Sequence, residues 1–72
     1  MEKALLGIWQ KLGFADEGGT VARKLLEYCW RETPFGAHTF ESVLAGAVGA
    51  GHLQPWDDGF RLTRGGLAAL QA

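Results

Sequence analysis

Apolar residues recur at helical spacing in three segments of the chain. The first segment runs from Glu2 to Leu12 and predicts a helix, which Gly13 ends because glycine readily adopts the left-handed conformation of a helix C-terminus. The second begins at Thr20, a residue typical of a helix N-cap, and ends near Glu32. The third covers about residues 38–50. The apolar positions are Leu5, Ile8, Trp9 and Leu12, then Val21, Leu25, Leu26, Tyr28, Cys29 and Trp30, then Phe40, Val43, Leu44, Ala47 and Val48.

The pattern changes after Gly51. Residues 52–56 and 59–63 are two short β-prone segments, and the sequence Asp57-Asp58-Gly59 between them predicts a hairpin turn. Pro55 lacks a backbone N–H, so we expect the first strand at the sheet edge. Thr63 is the expected N-cap of a final short helix. That helix would pack through Leu67 and Leu70.

These elements fit one small domain that covers residues 1–72. The 72 residues are 47% hydrophobic and 21% charged, which is the composition of a folded chain and not of a disordered segment. Cys29 is the single cysteine, so an intramolecular disulfide is excluded and a reduced, cytoplasmic thiol is expected. The sequence shows no secretory signal and no run of apolar residues long enough to span a membrane.

The C-terminal third resembles a known family. A helix end of the form Gly-x-Leu occurs at Gly51-His52-Leu53, a hairpin follows, and its second strand enters a Leu-Thr-x-x-Gly-x-x-x-Leu pattern at residues 62–70. This stretch looks like the end of a winged-helix domain. The resemblance implies a mainly α fold with three helices, a two-stranded wing and a short C-terminal helix. Leu62 would point into the core, and Leu70 would close it.

The resemblance implies DNA binding through a helix-turn-helix unit, but this chain departs from that pattern. One helix, at about residues 38–50, occupies the space where two are usual. Either the unit is abbreviated, or residues 33–37 form an irregular turn in place of its first helix. The candidate recognition helix contains no Arg, Lys, Asn or Gln, the side chains that read base edges.

Charge gives no support to a nucleic-acid surface. Residues 1–36 hold five basic and five acidic side chains, and residues 37–72 hold two basic and three acidic ones. Phosphate-binding proteins concentrate Lys and Arg on one face. On this chain the candidate phosphate contacts are Arg61 and Arg64, with Arg23 and Lys24 in addition.

Gly46 lies inside the third predicted helix, where glycine costs about 1 kcal/mol relative to alanine. Two explanations are open. Gly46 permits close approach of another backbone, or the small residues of this helix accommodate the first or second helix of the same domain.

The aromatic residues divide into two groups. Trp9, Trp30, Phe40 and Phe60 fall on apolar stripes and are expected in the core. Trp56 stands beside the acidic turn, and an exposed tryptophan next to charged side chains is typical of a protein-binding hot spot. The alternative is that Trp56 folds back over Leu53 or Leu70.

Catalytic chemistry has weak candidates. Cys29 with His38 or His52 would supply a nucleophile and a base, but a thiol on an apolar helix face is more often a core residue. No Cys or His residues are paired at zinc-ligand spacing, and the glycine pairs at 18–19 and 65–66 lack a phosphate-binding motif. We therefore expect no enzyme activity, no cofactor and no metal.

The sequence thus favours a protein partner, bound by a small adaptor, regulator or inhibitor. The expected binding residues are Trp56, Asp57, Asp58, Arg61 and Arg64. The alternative is a winged-helix DNA-binding regulator, which a homodimer formed through the first helix would favour, because a dimer doubles the basic contacts.

Overall fold

The computed structural model describes residues 1–16 and 18–72. Within that part of the chain there are four α-helices, one short 3₁₀ turn and three strands. In chain order these are α1 (Glu2–Lys11), β1 (Thr20–Ala22), α2 (Arg23–Arg31), the 3₁₀ turn (Ala37–Thr39), α3 (Phe40–Gly49), β2 (Leu53–Trp56), β3 (Gly59–Leu62) and α4 (Arg64–Gln71).

The predicted helix ends are confirmed to within a few residues. Leu12 is the C-cap of α1, and Gly13 follows in the left-handed region with φ +82°. Glu32 is the C-cap of α2. The third helix begins two residues later than predicted, because residues 37–39 form the 3₁₀ turn instead. The Thr63 hydroxyl caps α4 by accepting a 3.0 Å bond from the Gly66 N–H, as predicted.

The start of the second helix was predicted wrongly. Thr20 is not its N-cap, because residues 20–22 form β1 and pair antiparallel with β3. Ala22 precedes the helix in an extended conformation, with φ −63° and ψ 144°. The described sheet therefore has three strands in the order β1-β3-β2, where a two-stranded wing was expected. β2 is at the edge, as Pro55 predicts.

The core lies between the helices and one face of the sheet. Trp9, Trp30 and Leu62 are completely buried, and Phe60 packs against the core while partly exposed. The buried face of α2 was predicted only in part: Leu26, Cys29 and Trp30 point inward, while Leu25 and Tyr28 do not. The buried hydrophobic residues are Leu5, Leu6, Ile8, Trp9, Val21, Leu26, Cys29, Trp30, Phe40, Val43, Leu44, Ala47, Leu53 and Leu62.

No helix in the described ranges combines the length and the apolar composition that a membrane crossing requires.

Candidate interaction surface

The outer face of the sheet carries the candidate site. Side chains alternate between the two faces of the sheet along each strand. The residues next to the buried Leu53 and Leu62 in the sequence therefore point away from the core. Trp56 pairs with Gly59, and Arg61 pairs with Gln54 on one side and Thr20 on the other. Trp56 and Arg61 therefore lie diagonally on the same outer face, next to the turn.

Trp56 is 46% exposed, and the Arg61 guanidinium lies over its ring, 4.9 Å from the ring centroid. Arg61 also lies against Gly18, so its side chain is held between the indole and the backbone of residue 18. A cation–π contact of this kind contributes about 0.5–1 kcal/mol at an exposed site. Trp56 does not fold back over Leu53, since the two side chains are on opposite faces of β2.

The turn of the hairpin consists of Asp57 and Asp58. Asp57 has φ +51°, in the left-handed region that Asp and Asn adopt more readily than other non-glycine residues. The Asp58 carbonyl accepts a 3.1 Å hydrogen bond from the Arg23 N–H, which fastens the turn to the start of α2. Neither turn carboxylate forms an ion pair with another described residue. Two negative charges thus stand beside the exposed indole.

Arg23 connects the turn with α3. Its Nε is 3.2 Å from the Glu27 carboxylate, its guanidinium also pairs with Glu41, and it lies 5.7 Å from the centroid of the Phe40 ring. Because its charge is shared between two carboxylates, Arg23 does not give this end of the molecule a positive potential. Glu41 lies in the first turn of α3.

The outer face of α3 is composed of small residues and is uncovered. Ala45, Gly46 and Gly49 are exposed, and a Cβ placed on Gly46 would meet no described atom within 4 Å. The alternative that the small residues of α3 accommodate the first or second helix of the same domain therefore does not hold at Gly46. Close approach of a backbone from outside the domain stays a prediction.

The predicted site residues separate into two places. Trp56, Asp57, Asp58 and Arg61 are together at the turn end of the hairpin, and we call these four residues the hairpin-tip surface. Arg64 begins α4, beyond the end of β3 that lies away from the turn. The hairpin tip is therefore formed without Arg64.

Cys29 and His52 were both considered for catalysis, and each has its own contacts in the structure. Cys29 is 8% exposed and lines a groove between α1 and α2, in which no histidine takes part among the described residues. The His52 ring pairs with the Glu2 carboxylate through Nδ1. Among residues 1–16 and 18–72, no three His, Cys, Asp or Glu side chains come together as a metal site would require.

The exposure of two apolar residues on α2 was not predicted from the sequence. Leu25 is 41% exposed and Tyr28 is 64% exposed, although both fit the apolar stripe of the second predicted helix. The signal that separates them from Leu26 and Trp30 is weak, since α2 has apolar residues on more than half of its circumference.

No known protein family, curated protein or solved structure matches this chain.

Asp57 gives a direct test of the turn geometry. We expect Asp57→Ala to lower the free energy of unfolding by about 1 kcal/mol, because alanine tolerates the left-handed region less well. Asp57→Asn removes the same charge but keeps that tolerance, so its effect should be within a few tenths of a kcal/mol. Urea denaturation followed by circular dichroism measures both. Equal losses in the two variants would show that the charge, and not the backbone conformation, matters at this position.

Proposed function

We propose that this chain is a non-enzymatic, winged-helix-like domain that binds a protein partner through the hairpin-tip surface. The observation that carries the proposal is Trp56: a tryptophan nearly half exposed, supported by Arg61 and adjacent to two carboxylates that form no ion pair with a described residue. Tryptophan and arginine are enriched among the residues that dominate protein–protein affinity. An ordered indole also loses little conformational entropy when it is buried by a partner.

The winged-helix part of the proposal is supported by the order of the elements and by the C-terminal contacts. Three helices precede the hairpin and a short helix follows it, as the resemblance implies. Leu62 is buried, and Thr63 caps α4. The close packing of Gly66 explains why this position of the Leu-Thr-x-x-Gly pattern is a glycine, because a Cβ there would be 2.1 Å from the His52 carbonyl oxygen.

The surface favours protein over DNA as the partner. In a helix-turn-helix protein, the start of the recognition helix contacts base edges and the basic side chains around it contact phosphates. Here the corresponding positions hold Glu41 on α3 and Asp57 and Asp58 on the turn. Phosphates would meet negative charge at both places. A role as adaptor, regulator or inhibitor requires the partner surface alone and no catalytic group.

The test compares two exposed aromatic residues on different surfaces. Tagged wild-type protein, Trp56→Ala and Tyr28→Ala are used to capture proteins from a lysate of the source cells. We expect one specific protein to be retained by the wild type and by Tyr28→Ala and lost by Trp56→Ala, with all three melting within a few degrees of each other. Asp57→Asn should weaken capture without changing stability.

The isolated complex gives a second measurement. Trp9 and Trp30 are buried, so acrylamide should quench mainly the fluorescence of Trp56, and binding should protect it. Titration of a labelled DNA duplex at low and at physiological salt tests the alternative. Salt-sensitive binding in the micromolar range would contradict the proposal and favour a DNA-binding regulator.

A further inference from the structure

A groove between α1 and α2 lies outside the hairpin-tip surface. Its volume is about 250 Å³. The residues that line it are Ala4, Gly7, Ile8 and Lys11 on α1 and Cys29, Glu32 and Thr33 on and after α2. No element within the described residues fills this space.

Gly7 is the least expected residue in the groove. It lies in the middle of α1 with ordinary helical geometry, where glycine is a poor helix former. A Cβ placed on Gly7 would meet no described atom within 4 Å. Nothing described in the chain therefore requires glycine at this position, whereas a surface that approaches α1 from outside would.

The groove continues along α2 as an apolar strip. Leu25 is four residues before Cys29, so helical spacing places both on the same side of α2. Leu25 is 41% exposed, and Tyr28 beside it is 64% exposed. An exposed leucine and an exposed tyrosine on this side of α2 extend the apolar surface that a partner would cover.

The charges at the groove indicate which surface covers it. Lys11 lines it on α1 and Glu32 lines it from the end of α2. Neither side chain forms an ion pair with a described residue, and the two do not pair with each other. A surface that carries one cation and one anion around an apolar centre is complementary to itself when it is rotated by a two-fold axis.

We propose that this groove binds a second copy of the same chain in a two-fold symmetric dimer. Gly7 lies near the axis, where the lack of a side chain allows the two α1 helices to approach closely. Lys11 pairs with Glu32 of the partner subunit, and the symmetry forms the same pair twice. The exposed Leu25 side chains are covered in the dimer. The proposal uses none of the hairpin-tip residues and does not depend on the proposed function.

The area available for the interface indicates how strongly the dimer should form. A standard interface covers about 800 Å² of each partner. The exposed surface is 4275 Å². A groove formed by two short helices offers less than the standard area, so we expect a weak dimer, observed between about 1 µM and about 1 mM.

The first experiment is sedimentation equilibrium of the wild type and Gly7→Gln over that range. Glutamine is a good helix former and has room in the isolated chain, so Gly7→Gln should melt no lower than the wild type at low concentration. The same side chain fills the groove, and the variant should remain monomeric where the wild type dimerises. A wild type that stays monomeric to about 1 mM would overturn the proposal.

The second experiment uses the symmetry. Lys11→Glu and Glu32→Lys each place like charges opposite one another twice, so each variant alone should dimerise about tenfold or more weakly. Mixing the two variants in equal amounts forms both opposite-charge pairs again, and dimerisation should return to the wild-type level. Trp56→Ala is the control and should dimerise as the wild type does. Variants that dimerise normally alone, or a mixture that gains nothing, would place the interface elsewhere.

Discussion

Trp30→Ala is expected to leave the domain largely unfolded at 25 °C. Trp30 is completely buried, and removing a buried tryptophan typically costs about 3–5 kcal/mol. A 72-residue domain has roughly 4–11 kcal/mol of stability by its length, and one that cannot form an intramolecular disulfide lies near the lower end. The loss is therefore comparable with the total.

The position of Trp30 explains why the structure cannot adjust around the loss. Its ring stacks on Phe35 at 5.6 Å between centroids and packs against Phe40 at 6.5 Å. Its indole N–H donates to the Gly36 carbonyl at 3.2 Å and to the Thr39 hydroxyl at 3.1 Å. The same side chain thus fills the core between α2 and α3 and orders the connection that joins them.

The measurement is urea denaturation followed by far-ultraviolet circular dichroism, with Trp56→Ala as the matched control. Both variants remove the same side chain, but Trp56 is 46% exposed, so its replacement should cost less than about 1 kcal/mol. Trp30→Phe retains most of the buried volume and loses the two hydrogen bonds, and it should lie between the two. Similar stability of Trp30→Ala and Trp56→Ala would contradict the assignment of Trp30 to the core.

The predicted parts of the fold rest on local signals. Gly13 and Thr63 mark helix ends through their own backbone and side-chain preferences, and both act where the sequence places them. Pro55 marks an edge strand because of the N–H that it lacks. These effects involve a few neighbouring residues, which is why one sequence suffices to predict them.

β1 could not be predicted in the same way. It is three residues long, and its partner strand lies about 40 residues later in the chain. Locally, Thr20 has the side chain of an N-cap and Val21 continues the apolar stripe of α2, so the sequence favours a helix start. The pairing of Val21 with Phe60 decides the outcome, because it packs both side chains against the core at once.

The candidate site also has one part that local sequence predicts and another that depends on strand pairing. The exposure of Trp56 follows from its place next to a polar turn, which the sequence shows. The contact of Arg61 with the Trp56 ring follows from the register of β2 and β3, and the distance of Arg64 from the turn follows from the direction of β3. Neither is visible before the strands are paired.

Gly59→Ala is expected to separate the hairpin from β1 and to lower the free energy of unfolding by about 3 kcal/mol, at the upper end of the usual cost of overpacking. A Cβ on Gly59 would be 2.2 Å from the Val21 carbonyl oxygen and 2.7 Å from the Ala22 Cα. These are backbone atoms of the paired strand, so no side chain can move aside. Relief requires that β1 and β3 move apart, which breaks the pairing of Ala22 with Gly59 and loosens the turn that carries Trp56.

Gly46→Ala is the matched control, because it adds the same methyl group at a position with no described atom within 4 Å. In the interior of α3 that change should stabilise the domain by about 0.5–1 kcal/mol. Thermal unfolding of the two variants should therefore shift in opposite directions. Hydrogen exchange of the β1 amides should accelerate in Gly59→Ala alone, since only there is the strand released. If Gly59→Ala melts as the wild type does, β1 does not hold the hairpin in place. The rigid presentation of Trp56, on which the proposed binding surface rests, would then lose its physical cause.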